Sequence, residues 1–251
     1  MLISLVHPSR SRLDRAEAAI AEWHCQASGA HAIEHILSVD DDDPDVDGYR
    51  SLALRVKSRL VVHPNRRMVD AMNRGAAAAA GDLLVGMSDD FGCPPGWDDS
   101  LAALVRDRSR AAILVDDGID ARILTIPILT RGLYEHIGFI YHPAYVSMFA
   151  DDDLTEVARR LDALVDARHL RFPHRHFHVN PSVTDATYAR QNSNQAWWHG
   201  WRVFEKRKLE DFGAGRRTLG VRRRQLQIDI YYYGRTIGSR IKQTCLGALA
   251  R

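Results

Sequence analysis

The clearest indication of how this chain folds comes from the stretch Leu83-Leu84-Val85-Gly86-Met87-Ser88-Asp89-Asp90-Phe91. Its apolar run predicts a buried strand, which carries two adjacent carboxylates into the loop that follows. Two like charges at the end of a sheet are costly unless a cation or hydrogen-bond donors neutralise them. The motif therefore predicts a hard divalent metal bound with a nucleotide diphosphate, or else a solvated turn that caps a helix.

Strands and helices alternate on both sides of this stretch, over the first 115 residues. Further strands are predicted at Leu2–Val6, Ala32–Val39, Arg59–His63 and Ala111–Val115, with helical spacing between them. The alternation predicts an α/β fold with a doubly wound, mostly parallel central sheet and helices on both faces. Ligands bind at the carboxyl ends of strands in such sheets. We therefore expect three loops to meet there: Pro8–Arg10, Asp40–Asp43 and Ser88–Phe91.

The second half of the chain is less regular. Its apolar pattern predicts a strand at Ile123–Leu129 and a helix at Arg131–Ile137. A longer amphipathic helix is predicted at Asp153–Ala167, and a strand at Arg171–Val179.

Composition excludes several classes of protein. Of the 251 residues, 45% are apolar and 26% are charged, which is typical of a globular protein and not of a disordered or fibrous one. No apolar run approaches the roughly 20 residues that span a bilayer. Cys25, Cys93 and Cys245 are few and far apart, so we expect reduced thiols and a location in the cytoplasm.

Charge is unevenly distributed along the chain. Residues 196–251 contain 13 Lys and Arg against 4 Asp and Glu, a net charge of +9, whereas residues 1–195 carry −7. The acidic part favours a cation site, and the basic part favours an anionic partner. Arg216-Arg217, Arg222–Arg224 and Tyr231–Tyr233 fit anionic lipid head groups, which would place the protein at the inner membrane face. A solvated basic helix, whose Ile237–Leu249 stripe packs on the domain or on a second subunit, is favoured over lipid binding, and RNA is the least favoured partner.

Two further clusters could carry chemistry. His174, His176 and His178 alternate, so on a strand they would project from one face and could bind a metal, although ordinary surface or core histidines are the alternative. In Asp151-Asp152-Asp153, one carboxylate could act as a general base, while the others cap the helix that follows.

The remaining candidates lie near the predicted sheet edge. Pro8, Ser9 and Arg10 could approach a nucleotide, and Asp40 could accept a hydrogen bond from its base. Arg66 and Arg67 could reach a diphosphate, although each is by default a surface arginine. The sequence contains neither a dinucleotide-binding nor a P-loop glycine motif, which disfavours dehydrogenases and P-loop enzymes.

These pieces, in this order, resemble the family 2 glycosyltransferases of the GT-A fold. The resemblance covers roughly residues 1–195 and is most specific at Gly81–Asp90. It is carried by the following segments: Pro8-Ser9-Arg10, Asp40, Asn65-Arg66-Arg67, Ala71–Gly75, Ala80–Leu84, Ser88-Asp89-Asp90, Pro94–Trp97, Tyr141-His142-Pro143, Phe149–Leu154 and His174-Arg175-His176. Ser88 departs from the family pattern, because many members have an aspartate there.

The resemblance implies a donor site and a metal site. A nucleotide-sugar, with UDP-sugars favoured by their frequency in the family, would lie along Pro8, Ser9, Arg10 and Asp40. Asp89 would touch the ribose or the metal. Asp90 would bind Mn²⁺ or Mg²⁺, completed by His174 or His176. Arg66 or Arg67 would assist the departing diphosphate.

The resemblance also implies a reaction and a domain organisation. Asp151, with Asp152 as the next candidate, would accept a proton from the acceptor hydroxyl in a reaction that inverts the anomeric centre. The acceptor would be lipid-linked or a saccharide. Residues 1–195 would form the catalytic domain, and residues 196–251 a basic extension. Two alternatives stay open: a protein that binds nucleotide and metal without turnover, and a nucleotidyltransferase.

Overall fold

The computed structural model describes residues 1–65, 67–175, 193–213, 227–228, 230–231 and 234. Over these residues the chain forms, in order, β1 (Leu2–Ser9), α1 (Leu13–Cys25), β2 (Ala32–Asp40), α2 (Val46–Arg55), β3 (Arg59–His63), α3 (Met68–Ala78), β4 (Leu83–Gly86), α4 (Trp97–Val105), β5 (Ala112–Asp116), β6 (Ile128–Thr130), α5 (Arg131–Ile137), α6 (Ala150–Arg160), β7 (Leu164–Arg171), α7 (Asn194–Leu209) and a 3₁₀ turn (Asp211–Gly213).

The seven strands form one sheet in the order β3-β2-β1-β4-β6-β5-β7. All neighbouring pairs are parallel except the two that involve β6, which runs antiparallel to both β4 and β5. The chain starts near the centre with β1 and winds outward to β3, then returns past β1 to β4. This reversal beside β1 is the kind of switch point at which open sheets bind ligands. The prediction of a doubly wound, mostly parallel sheet is confirmed.

Hydrophobic side chains alternate between the two faces of the sheet. Leu5 and Val85 pack in a cluster that contains Trp23 of α1 and Trp97 of α4. Val6 and Leu84 point to the opposite face, toward helices α3, α5 and α6. The central strands β1, β4, β5 and β6 thus bury both of their faces, which is why β4 and β5 are continuous apolar runs in the sequence.

Two tryptophans support the loop that follows β4 from below. The indole of Trp23 donates a 3.0 Å hydrogen bond to the carbonyl oxygen of Phe91, and Trp97 donates a 2.9 Å bond to the carbonyl oxygen of Trp23. The two rings meet edge to face at 5.1 Å. Because both are fully buried, they fix where the carboxylates of Asp89 and Asp90 emerge from the sheet.

The second half of the chain corrects two predicted elements. The single helix predicted at Asp153–Ala167 covers two elements: helix α6, which ends at Arg160, and the first residues of strand β7, which begins at Leu164. Between them the chain turns at Asp162, whose φ of 52° is left-handed. The apolar spacing continued across this turn because Leu164 and Val165 lie on the partly buried strand that follows. The strand predicted at Arg171–Val179 is not found, because β7 already ends at Arg171 and His174 forms only a single bridge with Phe91. Residues 176–179 lie outside the described residues.

The strand predicted at Ile123–Leu129 is also shorter than expected, since β6 begins at Ile128. Within the described ranges, no helix is long and apolar enough to cross a membrane. The basic clusters at residues 216–217 and 222–224 lie outside the described residues. The predicted domain boundary at residue 195 falls at the start of α7.

Candidate active site

A cleft of about 530 Å³ opens where β1, β2 and β4 end. It collects side chains from segments that are far apart in the sequence. Ten of the twelve predicted site residues line it: Pro8, Ser9, Arg10, Asp40, Arg67, Asp89, Asp90, Asp151, Asp152 and His174. The other two, Arg66 and His176, lie outside the described residues. The expectation that the three loops meet at one edge of the sheet is therefore correct.

The side of the cleft predicted to take the nucleotide is held together by ion pairs of Arg10. Arg10 donates a 2.5 Å hydrogen bond to Asp40 and also pairs with Asp42. Arg67, a predicted diphosphate ligand, donates two bonds to Asp70, at 2.9 and 2.6 Å, and one of 2.8 Å to the carbonyl oxygen of Pro143. These contacts fix both arginines at the wall of the cleft.

Asp89 is bound on both of its carboxylate oxygens by β1. His7 Nε2 lies 2.8 Å from Oδ1, and the Ser9 hydroxyl donates to Oδ2 at 3.1 Å. Behind His7, a buried chain continues to His35 at 3.1 Å and from there to Ser58 at 2.6 Å. Burial and two neighbouring histidines hold the pKa of His35 well below its usual value, so its imidazole is neutral. The geometry favours Asp89 as a residue that connects β1 to the loop Ser88–Phe91, called the acidic loop below.

Asp90 and His174 face each other across the cleft. His174 Nε2 is 3.5 Å from Asp90 Oδ2, and the Ser88 hydroxyl donates to Oδ1 at 2.6 Å. The backbone enforces this approach, because His174 forms an antiparallel bridge with Phe91 and its ring stacks on the Phe91 ring at 4.1 Å. Burial opposes the charge on Asp90, but the attraction of His174 outweighs it and lowers the pKa of Asp90 to about 2.

Asp117, which follows β5, lies behind His174. Its Oδ2 is 3.7 Å from His174 Nδ1, while its Oδ1 accepts backbone hydrogen bonds from Ile119 and Asp120 at 2.8 and 2.9 Å. Burial lowers the pKa of His174, but Asp117 and Asp90 more than offset it and raise that pKa to about 9. Two carboxylates thus favour positive charge at this point, which is the electrostatic requirement of a cation site.

The residues present fit a divalent metal that takes some of its ligands from the protein and the others from a substrate and water. Over the described ranges, no three His, Cys, Asp or Glu side chains converge into a ready-made metal centre. Asp90 and His174 offer one carboxylate oxygen and one imidazole nitrogen. Mg²⁺ is commonly bound by one or two carboxylates together with substrate phosphates and water, so a pair of protein ligands is sufficient.

The three aspartates at the start of α6 separate into two groups. Asp153 is only 1% exposed and is ion-paired with Arg207 of α7 at 2.9 Å. It also accepts a 3.0 Å hydrogen bond from the Tyr145 hydroxyl. Asp151 and Asp152 line the cleft instead. Burial, reinforced by the charge of Asp152, raises the pKa of Asp151 to about 6, near the range that suits a general base.

Sequence reasoning missed several residues of this site. Arg12, Asp120 and Trp197 line the cleft, and His7 and Asp117 orient residues that do. No motif marks them, because their positions come from contacts between distant elements. A partial signal existed for Asp117 and Asp120, since they follow a predicted strand whose carboxyl end was expected at the same edge of the sheet.

Comparison with known proteins agrees with the resemblance found in the sequence. Residues 11–135 match the family model described as glycosyl transferase family 2. No curated protein sequence matches the chain. Over residues 11–135 the chain therefore carries a glycosyl transferase family 2 domain of the GT-A fold, as the resemblance in the sequence implied.

Three solved structures illustrate the shared fold. Glucosyl-3-phosphoglycerate synthase from Mycobacterium tuberculosis, in complex with Mn²⁺, UDP and glucosyl-3-phosphoglycerate, has a TM-score of 0.57 and 15% identity, covering 86% of this chain and 81% of that chain. The mannosyltransferase PcManGT from Pyrobaculum calidifontis, with GDP-Man and Mn²⁺, has a TM-score of 0.55 and 14% identity, covering 92% and 69%. S. aureus TarS has a TM-score of 0.55 and 12% identity, covering 86% of this chain but only 44% of TarS.

Proposed function

We propose that this protein transfers a sugar from a nucleotide-diphosphate donor, with a UDP-sugar favoured, to an acceptor hydroxyl with inversion at the anomeric carbon. One observation carries the proposal: the Asp90–His174 pair and the carboxylate of Asp151 line the same cleft at the switch point of the sheet. The structural neighbours that bind UDP or GDP-Man together with Mn²⁺ or Mg²⁺ support the choice of donor and metal.

The donor would lie between the end of β1 and the acidic loop. Pro8, Ser9 and Arg10 with Asp40 form the wall on the nucleotide side. A divalent cation held by Asp90 and His174 would supply Lewis-acid chemistry, offsetting negative charge on the diphosphate. Arg12 lines the same region and adds positive charge near Asp90, lowering the pKa of that carboxyl.

Asp151 would act as the general base on the acceptor side. The acceptor oxygen forms a bond to the anomeric carbon while the bond from that carbon to the diphosphate oxygen breaks. The electron pair leaves with the diphosphate, and the acceptor proton passes to Asp151. One displacement of this kind inverts the configuration. Asp152 is the alternative base, since burial and the charge of Asp120 raise its pKa as well.

The experiment is a donor screen on the full chain. UDP-, GDP- and dTDP-sugars are incubated with Mn²⁺, and the released sugar and nucleoside diphosphate are measured alongside the melting temperature. We expect one nucleotide to stabilise the protein most strongly with Mn²⁺, by ~2.7 kcal/mol at a hundredfold excess over its Kd, and its sugar to be released slowly. Stabilisation without sugar release would instead support a binding protein. Pyrophosphate release from a nucleoside triphosphate would support a nucleotidyltransferase.

Asp117 gives a prediction about how the metal ligand is held. A carboxylate behind a metal-binding histidine fixes its orientation, and its loss commonly lowers metal affinity about 10–100-fold. We expect Asp117→Asn to weaken Mn²⁺ binding by that factor. The amide oxygen can still accept from Ile119 and Asp120, so the turn keeps its hydrogen bonds, but loss of the charge that faces His174 lowers the metal-free melting temperature.

Paramagnetic resonance of free Mn²⁺ during a titration with UDP present measures this affinity directly. Asp116→Asn is the matched control, because Asp116 is the neighbouring carboxylate and accepts a backbone hydrogen bond from Gly118 in the same turn. Equal Mn²⁺ affinities for the two variants would show that Asp117 does not orient His174.

The basic extension supports a proposal about where in the cell the protein acts. We propose that the protein works in the cytoplasm and that residues 196–251 bring it to anionic lipids at the inner membrane face. Their net charge of +9 supports this proposal, because basic segments are attracted to anionic lipid head groups.

A further inference from the structure

One exposed aromatic side chain shares the cleft with the candidate base. Trp197, on the first turn of α7, lines the cleft and leaves 38% of its surface exposed. Its ring meets the Phe149 ring edge to face at 5.3 Å, and Phe149 lies two residues before Asp151. The other four tryptophans are more buried, and none of them lines the cleft. Because burying apolar surface is favourable, an indole that stays open to solvent in the cleft that Asp151 also lines leaves an apolar face available to a ligand.

The position of Trp197 is fixed by close packing of α7 on the segment that bears the base. A Cβ atom at Gly200 would lie only 2.4 Å from the carbonyl oxygen of Met148, so glycine permits the two backbones to touch. Val203 is buried in the core, and Arg207 is paired with Asp153 of α6. These contacts pack α7 against the segment that bears Asp151 and fix the position of Trp197 at the cleft.

Among the described residues, the part of the cleft that holds the candidate base Asp151 is mostly acidic. Asp120, Asp151 and Asp152 all line it. Burial and the charge of Asp120 raise the pKa of Asp152, as expected for two nearby carboxylates that both line the cleft. The nearby Arg122 is bound to Asp120 at 2.7 Å, and its side chain is 82% exposed. An anionic acceptor would meet like charge here, whereas hydroxyl groups could donate hydrogen bonds to the carboxylates.

We propose that Trp197 is the platform of the acceptor site, and that the ring carrying the attacking hydroxyl is a neutral saccharide rather than a phosphorylated or carboxylated molecule. The apolar face of a pyranose would lie against the indole, and its hydroxyl groups would face Asp151 and Asp152. This inference rests on the proposed function, because it presumes that a sugar is transferred in this cleft. It gives the acceptor a different chemistry from the phosphoglyceric acid named with one structural neighbour.

The test compares different acceptors, each offered together with the donor identified in the donor screen. Neutral methyl glycosides and the corresponding sugar 6-phosphates are offered to the full chain, and transfer product is measured. Donor hydrolysis without acceptor is measured in parallel. We expect transfer to neutral glycosides and at least tenfold less to their phosphates. Trp197→Ala should raise the acceptor KM about tenfold, equivalent to ~1.4 kcal/mol, with the KM of the donor unchanged. Trp197→Phe should retain most of the affinity.

Trp198→Ala is the matched control, since Trp198 is the neighbouring indole on the same helix and does not line the cleft. We expect its acceptor KM to match that of the unaltered protein. The inference is overturned if donor hydrolysis is intact but no neutral glycoside accepts the sugar, if phosphates are used equally well, or if Trp197→Ala and Trp198→Ala behave alike. Absence of hydrolysis and of donor binding would instead overturn the proposed function.

Discussion

Asp151→Asn is expected to stop sugar transfer while the donor still binds. The amide keeps the shape of the carboxyl group but cannot accept the proton of the acceptor hydroxyl, and general-base catalysis typically contributes 10²–10⁴-fold to the rate. Turnover should therefore fall by roughly a hundredfold or more, as measured by release of nucleoside diphosphate in the presence of acceptor. The Mn²⁺-dependent binding of the nucleotide, measured by calorimetry, should change little.

The pKa of Asp151 adds a pH signature to this prediction. Burial raises that pKa to about 6, so the residue is protonated and inactive as a base below this pH and ionised above it. We expect kcat/KM for the acceptor to rise as the pH increases through about 6 and then to level off. A profile that falls over this range, or one with no inflection near it, would place the base elsewhere.

Two neighbouring variants serve as controls for Asp151. Asp152→Asn should retain most of the turnover; if it is the more damaging change, the base is Asp152. Asp153→Asn breaks a buried ion pair with Arg207 and is expected to lower the free energy of unfolding by about 3–5 kcal/mol, which urea denaturation would detect. Asp151→Asn should cause no such loss, because burial and the charge of Asp152 disfavour the charged form of Asp151, whereas the charge of Asp153 is stabilised by Arg207.

Asp90→Ala is the second change with a large expected effect. It removes the only carboxylate that faces His174 Nε2 among the residues that the structure describes. We expect the Mn²⁺-dependent part of nucleotide binding to disappear, so that the Kd for UDP becomes the same with and without Mn²⁺ in calorimetry. The affinity that remains would come from the nucleotide side of the cleft.

His174→Ala should reproduce the result for Asp90→Ala if the two side chains share one cation. His169→Ala is its control, since His169 lies exposed on β7. An unchanged response to Mn²⁺ in the Asp90 variant would remove this residue from the metal site. A difference between the Asp90 and His174 variants would mean that only one of them is a ligand.

The first half of the fold was predictable because local patterns and tertiary packing agree there. Strands β1, β4 and β5 are buried on both faces and are largely apolar runs, and the helices between the strands keep an apolar stripe. Strand β3 is only partly buried, but Leu60, Val61 and Val62 still mark it as a strand. The register of β1 against β2 and β4 then brings the acidic loop beside Ser9 and Asp40, as the rule for parallel sheets predicts.

The rest could not be predicted for physical reasons. The turn at Asp162 is hidden, because apolar residues continue at helical spacing across it into β7. The roles of His7 and Asp117 depend on partners 82 and 57 residues away in the sequence, and no local pattern records such contacts. Trp197 is part of a run of aromatic residues on α7, and only the packing shows which of them opens into the cleft.

A crystal of the full chain grown with Mn²⁺ and UDP, measured at a wavelength where manganese scatters anomalously, is the most direct test. We predict one strong anomalous peak within coordination distance of both Asp90 Oδ2 and His174 Nε2, with the diphosphate bound to the same ion. A peak elsewhere, or a diphosphate bound away from these two residues, would contradict the assignment of this cleft as the donor site.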